Sequence, residues 1–358
     1  MIIEMYIGEG GIKMERNILV IGNGFDIYHG LKTKYFDFVQ YTSKVKSEET
    51  KAEENICELC KSNMFIKYFQ DAAKANQGWI DCELEIEMIS NIFEKLINVD
   101  TSLDKGGLLN QNILFDYEMK VLTYAAKYIE NYYGKLKISF KYEHKFKRLN
   151  KDLMLCHLNK DLDDLIEVFY YYLKNEVNKK VINLRSGQIK NIEFSYVVNF
   201  NYTNTFELYN ISPNDVCYIH GSVMQGANSM VLGTRDIEER NLDFIYFRKY
   251  FQRIQKRTGT LDENKFIPRH GSTRLILDPP NTAVNVHFFG LSLSDTDGDM
   301  IKKIESLSKK MFIYYYDQKD YEQKVINLID VFGKVKALEL INDSKAEFIK
   351  LETAEEVD

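Results

Sequence analysis

Residues 17–22, NILVIG, form a short apolar run that stops at a glycine, the pattern of a buried strand. Leu31, Tyr35, Phe38 and Val39 then fall on one helical face. Strand, glycine turn and helix make the opening of a βαβ unit. From about 46 to 190 the pattern is helical. Its clearest piece carries Leu162, Leu165, Ile166, Phe169, Leu173 and Val177 at spacings of three and four, and similar patterns occupy 81–98 and 115–134. Strand patterns resume at 193–204, 216–221 and 229–234, and helical character returns near 236–257. A strand at 283–293, a helix marked by Ile301, Ile304 and Leu307, a strand at 311–316 and a helix through Val325, Leu328 and Ile329 complete the alternation. Alternating strands and helices imply a parallel sheet covered on both faces. The expectation is an α/β, Rossmann-like, mostly parallel sheet with a large all-helical insertion after the first βα unit. Residues 14–45 and 191–340 form the core, 46–190 the insertion, 1–13 a poorly ordered extension and 341–358 a C-terminal tail segment.

Composition narrows the function classes. The 358 residues are 45% hydrophobic and 28% charged, as in a soluble globular protein. A net charge of -6 argues against a protein whose main task is gripping nucleic acid. The basic stretch 135–151 reads as a solvated helical face. Five cysteines and no expected secretory leader point to a reducing cytoplasm. Cys57 and Cys60 make a lone C-x-x-C inside a charged helical segment, weak evidence for zinc or redox work. No apolar run is long enough to span a bilayer, so no membrane partner is expected.

In open α/β folds ligands bind beyond the carboxyl ends of the strands, which makes the polar residues there the candidates. The first strand delivers Gly22, Asn23, Gly24, Phe25 and Asp26, and the second delivers Asn199, Asn201, Tyr202, Thr203 and Asn204. Later ends deliver His220 with Gly221, and Gly290, Ser292, Ser294, Asp295 and Asp297. Each has a plain structural alternative. The glycines permit a tight turn, or expose N–H groups to a phosphate. The motif lacks the third glycine of the dinucleotide fingerprint. Asp26 caps a helix or joins a site, and the asparagines make Asx-turns or orient a ligand. Of the six histidines, His220 is the best general-base candidate and His29 the second, while His287 lies mid-strand. Asp295 and Asp297 cap a helix or, less simply, bind a metal. Asp81 and Glu83 follow Trp79 at a helix start, where the dipole alone favours acids.

Read together, ILVIGNGFDIYHGLKTKYFDF, WIDCELE, VVNFNYTNTFE, YIHGSV and FFGLSLSDTDGDM resemble the successive signature blocks of the AbiH family, from about Met14 to Phe332. The resemblance implies a bacterial phage-defence factor of the abortive-infection type. The last block departs from the family, carrying Leu291 where His is more usual. More distantly, the block order is similar to that of sirtuin-like NAD-binding domains, including NAD-consuming defence enzymes. That similarity implies NAD as substrate or ligand, with no metal. It puts Asn201 and His220 in catalytic roles, to which the strand-end reading adds Asp26. The similarity puts Gly22 and Gly24 on the cofactor loop and Gly290 with Ser292 on the ribose-contacting loop, and the strand-end reading adds Asn23, Phe25, Asn199, Thr203 and Asp295 as nucleotide contacts. Asp26 stands where sirtuins carry Ser, and the zinc module of the deacetylases is missing. The implied reaction is hydrolysis of NAD at the nicotinamide–ribose bond. The alternatives are a non-catalytic nucleotide sensor, or a metal-dependent nuclease or phosphohydrolase using Asp26, Asp81, Glu83 and Asp297. Self-association through the helical insertion and a phage-derived trigger are further expectations.

Overall fold

The computed structural model describes residues 15–46, 50–75, 80–103, 151–180, 182, 184–235, 242–266 and 283–356. The expected extension at 1–13, the helical pattern at 115–134, Trp79 and the basic stretch up to residue 150 lie outside them. The chain divides into two compact units: residues 1–32, 180–225 and 257–358 in the first, and 33–179 with 226–256 in the second.

The first unit is built on β1 (Glu15–Ile21), β3 (Phe194–Asn199), β4 (Val216–Tyr218), β5 (Ala283–Phe289), β6 (Lys310–Tyr315) and β7 (Ala346–Lys350). They form one sheet in the order β4-β3-β1-β5-β6-β7, with every pairing parallel. Two short strands, β2 (Leu184–Arg185) and β8 (Glu355–Glu356), pair antiparallel to one side. Counted in chain order, the six sheet strands run 3-2-1-4-5-6, the doubly wound Rossmann order. The first strand lies between strands that run away from it in opposite directions, so β1 and β5 frame the topological switch point.

Alternation along β1 explains the two-sided core. Ile18 and Val20 face a cluster with Val286, Phe288, Met300, Ile301, Leu328 and Leu340. Leu19 and Ile21 face a second cluster with Phe25, Phe206, Tyr209 and Phe289. The first cluster is supplied by α9 (Gly298–Leu307), α10 (Gln318–Phe332) and α11 (Lys334–Asn342). The second takes Phe25 from the short α1 (Asn23–Tyr28). A short α8 (Glu263–Phe266) places Phe266 in the first cluster. Residues 346–350, in what reads as a tail segment, are the edge strand of the sheet.

The second unit is helical, as the apolar spacing implies. It contains α2 (Tyr35–Lys44), α3 (Lys51–Ser62), α4 (Met64–Ala75), α5 (Cys82–Leu103), α6 (Lys151–Tyr172) and α7 (Lys249–Lys256). Helix α3 starts at a reciprocal cap between Thr50 and Glu53. Phe38, Phe65, Phe69, Leu162, Leu165 and Phe169 are among its buried residues. Among the described residues, no helix is long and apolar enough to cross a membrane.

The run at 229–234 also differs from the sequence expectation. Residues 229–234 are not a strand: Ser229 ends a 3-10 turn, and only Thr234 makes an isolated bridge, to Arg248. Met230, Val231 and Leu232 are buried, so the apolar run is real. The backbone of Leu232 is paired by a side chain instead, its N–H donating to Gln252 Oε1 at 3.1 Å and its carbonyl accepting from Gln252 Nε2 at 2.9 Å. A glutamine on α7 stands in for a neighbouring strand, which periodicity cannot reveal. Removing that amide strands two buried backbone groups. Gln252→Leu is therefore expected to cost about 1–3 kcal/mol in urea unfolding; an unchanged midpoint would show that the pairing contributes nothing.

Candidate functional site

At the switch point the turns after β1 and β5 press backbone against backbone. Gly22 N–H donates to Phe289 O at 3.1 Å, Gly24 N–H to Gly290 O at 2.8 Å, and Phe25 N–H to Gly22 O at 2.8 Å. A Cβ on Gly290 would lie 1.9 Å from Phe25 N, and one on Gly24 would lie 2.8 Å from Gly290 Cα. Gly290 also has φ of 71°, the left-handed region. The tight spacing of glycines thus serves a crossing of two chain segments. Three of the N–H groups that a pyrophosphate would use are given to protein oxygens. The Tyr316 hydroxyl donates to Gly24 O from the end of β6. Asn23 is the exposed residue of the turn.

The end of β3 is organised by two asparagines. Asn199 is fully buried; its Oδ1 accepts from Asn201 N–H at 2.7 Å and its Nδ2 donates to Thr203 O at 2.8 Å. It is an Asx residue that fixes the loop. Asn201 Nδ2 donates to Gly22 O at 3.0 Å and ties this loop to the β1 turn. Thr203 Oγ1 donates to Asp26 Oδ2 at 2.6 Å, and Thr205 Oγ1 donates to Thr203 Oγ1 at 3.2 Å. Asp26 Oδ1 is buried with no hydrogen-bond partner. Burial pushes the Asp26 carboxyl up to about 6, opposed chiefly by the hydrogen bond from the Thr203 hydroxyl. A buried carboxylate with one oxygen held and the other bare is a ready acceptor.

His220 follows β4 and Asp297 follows β5, two strands separated by β3 and β1. At about 4.8 Å per strand their ends stand about 14 Å apart. Even so, His220 Nε2 and Asp297 Oδ1 are 3.0 Å apart, at ion-pair distance. The loop after β5 therefore reaches over the ends of the central strands. His220 is 4% exposed and meets the Phe200 ring edge-on at 5.7 Å. The loop is held from below by α10: Lys324 Nζ donates to Leu291 O and Asn327 Nδ2 donates to Ser292 O, both at 2.7 Å. Lys324 is buried, and burial lowers its amine from the ordinary range. Leu293 has φ of 60° in this loop, an uncommon conformation for a branched side chain. Ser294 caps the 3-10 turn Asp295–Asp297 through Thr296 N–H at 3.4 Å. Ser292 and Asp295 are exposed.

The structure thus gathers Gly22, Asn201, Thr203 and Asp26 into one hydrogen-bonded group, and joins His220 to Asp297. Asp297 emerges as a charge partner rather than only a helix-start acid. Lys324 and Asn327 carry a signal in the sequence only for Lys324, a lysine on the same helical stripe as Leu328 and Val331. His29, the second base candidate, is a satisfied core residue. Its Nδ1 faces Phe25 O at 2.6 Å, so that nitrogen carries the proton. Nε2 accepts from the Tyr209 hydroxyl at 2.7 Å, which accepts in turn from Ser186 N–H at 2.9 Å. Burial lowers His29 to about 4. His287 is held down to about 4 for the same reason, packed on Phe312 and hydrogen-bonded with the Tyr314 hydroxyl at 3.1 Å.

In the helical unit, Asp81 Oδ1 accepts from Glu83 N–H at 3.0 Å and Leu84 N–H at 3.2 Å, capping α5. Glu83 lies 2.8 Å from the buried amine of Lys249 and accepts from the Tyr35 hydroxyl at 3.1 Å. Among the described residues, no three acidic, histidine or cysteine side chains cluster as metal ligands. Cys57 and Cys60 are free and buried, and burial pushes the Cys60 thiol up to about 12.

A doubly wound parallel sheet with amides, a carboxylate and a histidine–carboxylate pair at its carboxyl ends defines an α/β protein of the Rossmann-like class. The family profile described as bacteriophage abortive infection AbiH matches residues 18–317, which spans every one of those strand ends, and the chain belongs to that family. Its role is accordingly in phage abortive infection. No curated protein and no solved structure matches the chain.

Gly290→Ala adds a clash to backbone strain. It is expected to abolish soluble expression, or to cost more than about 3 kcal/mol. Gly333→Ala shares the positive φ but meets nothing within 4 Å, and should cost only the backbone strain of about 1–3 kcal/mol. Comparable losses for the two variants would show that the crossing is slack. Stability should also fall in acid. His29 and His287, lowered from 6.5 to about 4, contribute stability that is present above 6.5 and lost as pH falls toward 4. Asp26, raised from 3.8 to about 6, acts oppositely: its contribution is full below 3.8 and lost as pH rises through 6. Each group acts with a slope of up to about 1.4 kcal/mol per pH unit. Asp26→Asn should therefore steepen the acid loss between pH 6 and 4 in urea titrations; an unaltered slope would place the Asp26 carboxyl in its ordinary range.

Proposed function

We propose that the strand-end site takes NAD or a related nucleotide and hydrolyses it at the nicotinamide–ribose bond, depriving an infected cell of NAD. The observation that carries this reading is the buried His220–Asp297 pair reaching across the strand ends that hold Asn201 and Asp26. A base oriented by a carboxylate, an amide and a bare carboxylate oxygen suit a reaction that activates water and develops positive charge on a sugar.

In that reaction water attacks C1′ of the ribose. The C–N bond breaks with its electron pair going to the ring nitrogen, so nicotinamide leaves neutral and needs no acid. Asn201 offers its Oδ1 to the water, since its Nδ2 is given to Gly22 O. His220 takes the proton, and Asp297 offsets the charge it gains. The bare Oδ1 of Asp26 accepts from a ribose hydroxyl or faces the developing cation. The glycine turn contributes room rather than donors, as the N–H groups of Gly22, Gly24 and Phe25 are already engaged. Contacts to the rest of the nucleotide then fall to the exposed Asn23, Ser292 and Asp295.

The near-complete burial of Asp26, Asn201 and His220 favours a second reading, a nucleotide sensor that does not hydrolyse its ligand. No observation favours a metal-dependent nuclease: Asp81 caps α5 and Glu83 pairs with Lys249. The purified full chain, with and without lysate from phage-infected cells, is to be incubated with NAD and assayed for free nicotinamide. Release is expected, reduced about 100-fold or more by His220→Ala and by Asn201→Ala. Calorimetric binding of NAD without release under either condition would leave the sensor; absence of both would remove the nucleotide reading.

A further inference from the structure

Helix α11 packs one side on the sheet and leaves an apolar stripe on the other. Ala337 and Leu340 enter the core beside Leu328 and Val331. Val335, Leu338 and Ile341, spaced by three, point outward at 74%, 61% and 41% exposure. A contiguous apolar stripe of this kind marks a contact surface more often than do single exposed residues.

The charges on α11 run against its own dipole. Lys334 and Lys336 occupy the first turn, where acids are favoured, while Glu339 lies in the last turn and Asp343 at the C-cap, where bases are favoured. Lys336 lies 3.6 Å from Glu305 of the same chain, leaving Lys334, Glu339 and Asp343 exposed beside the stripe. A helix that is basic at its start and acidic at its end is complementary to a copy of itself laid antiparallel.

We infer that α11 is an interface with a second copy of this chain, the two helices crossing antiparallel on a two-fold axis at Leu338. Such an interface is isologous, with the same patch on both copies. The symmetry sets Val335 against the partner's Ile341 and brings Lys334 to the partner's Asp343. Each wrong-signed end is met by opposite charge from the other copy. The neighbouring edge of the sheet does not compete as a docking surface. Strand β7 carries Glu347, paired with Lys310 at 2.6 Å, and charges of that kind discourage strand addition. The proposal stands on the helix alone and is independent of whether NAD is cleaved.

The test is sedimentation of the full chain from ~1 to ~100 µM, a range that brackets a micromolar dimer. A concentration-dependent dimer is expected. Leu338→Lys puts like charges on the axis and should weaken it at least tenfold, with the thermal melt unchanged at concentrations where both proteins are monomeric, because Leu338 is exposed there. Lys334→Glu should weaken it too, and Lys334→Glu combined with Asp343→Lys should restore it. In a Cys156→Ser background, which removes an exposed thiol, Leu338→Cys should cross-link to itself under mild oxidation. A monomer throughout would overturn the proposal. So would a dimer indifferent to Leu338→Lys, which would place self-association elsewhere.

Discussion

Everything at the carboxyl edge of the sheet depends on how closely β1 and β5 leave it. Two strands in register exit into turns that would collide if either carried side chains, and Gly22, Gly24 and Gly290 remove the collision. What remains is a pair of backbone hydrogen bonds from the β1 turn to Phe289 and Gly290. From that crossing α1 departs to one face of the sheet and the loop toward α9 to the other. The divergence is what makes a switch point, and it fixes where Asp26 and Asp297 can be.

Around the crossing, groups of opposite acid–base tendency are buried together. Asp26 is pushed toward neutrality, while His29 is kept neutral and locked by its tautomer. Both effects come from desolvation, but their consequences differ. His29 has every ring nitrogen satisfied, so its burial only stabilises the packing of Phe25 and Tyr209. Asp26 has an oxygen left over, and an unmet acceptor in the interior is costly unless something comes to it. Between these two residues, satisfaction of partners rather than burial makes the difference.

Five of the six sheet strands were legible in the sequence as short apolar runs, four of them ended by Gly, Asn or His, whereas the edge strand at 346–350 reads as a tail segment. The helical unit was legible from its spacing of three and four. The run at 229–234 misleads because its partner is the side chain of Gln252, which leaves the run's composition unchanged. The glycines could be seen to need close approach, but the approaching group, Gly290, lies far along the chain. His220 stood out by its place at a strand end. Its partner Asp297 did not, since an acid before a helix has an ordinary explanation, and only the path of the loop over β1 and β3 brings it to the imidazole.

That path also has a bearing on how the protein is made. His220 lies on one side of the first strand and Asp297 on the other, and the loop joining them in space belongs to the fifth strand of the chain. A growing polypeptide that has not passed Gly290 holds the histidine, the amides and Asp26, yet has nothing to close over them. The constellation comes into being only when late synthesis inserts β5 beside β1, a non-local pairing and therefore a slow one. Unfinished copies on the ribosome, and fragments ending before Asp297, therefore lack the joined pair, which belongs to the completed fold alone.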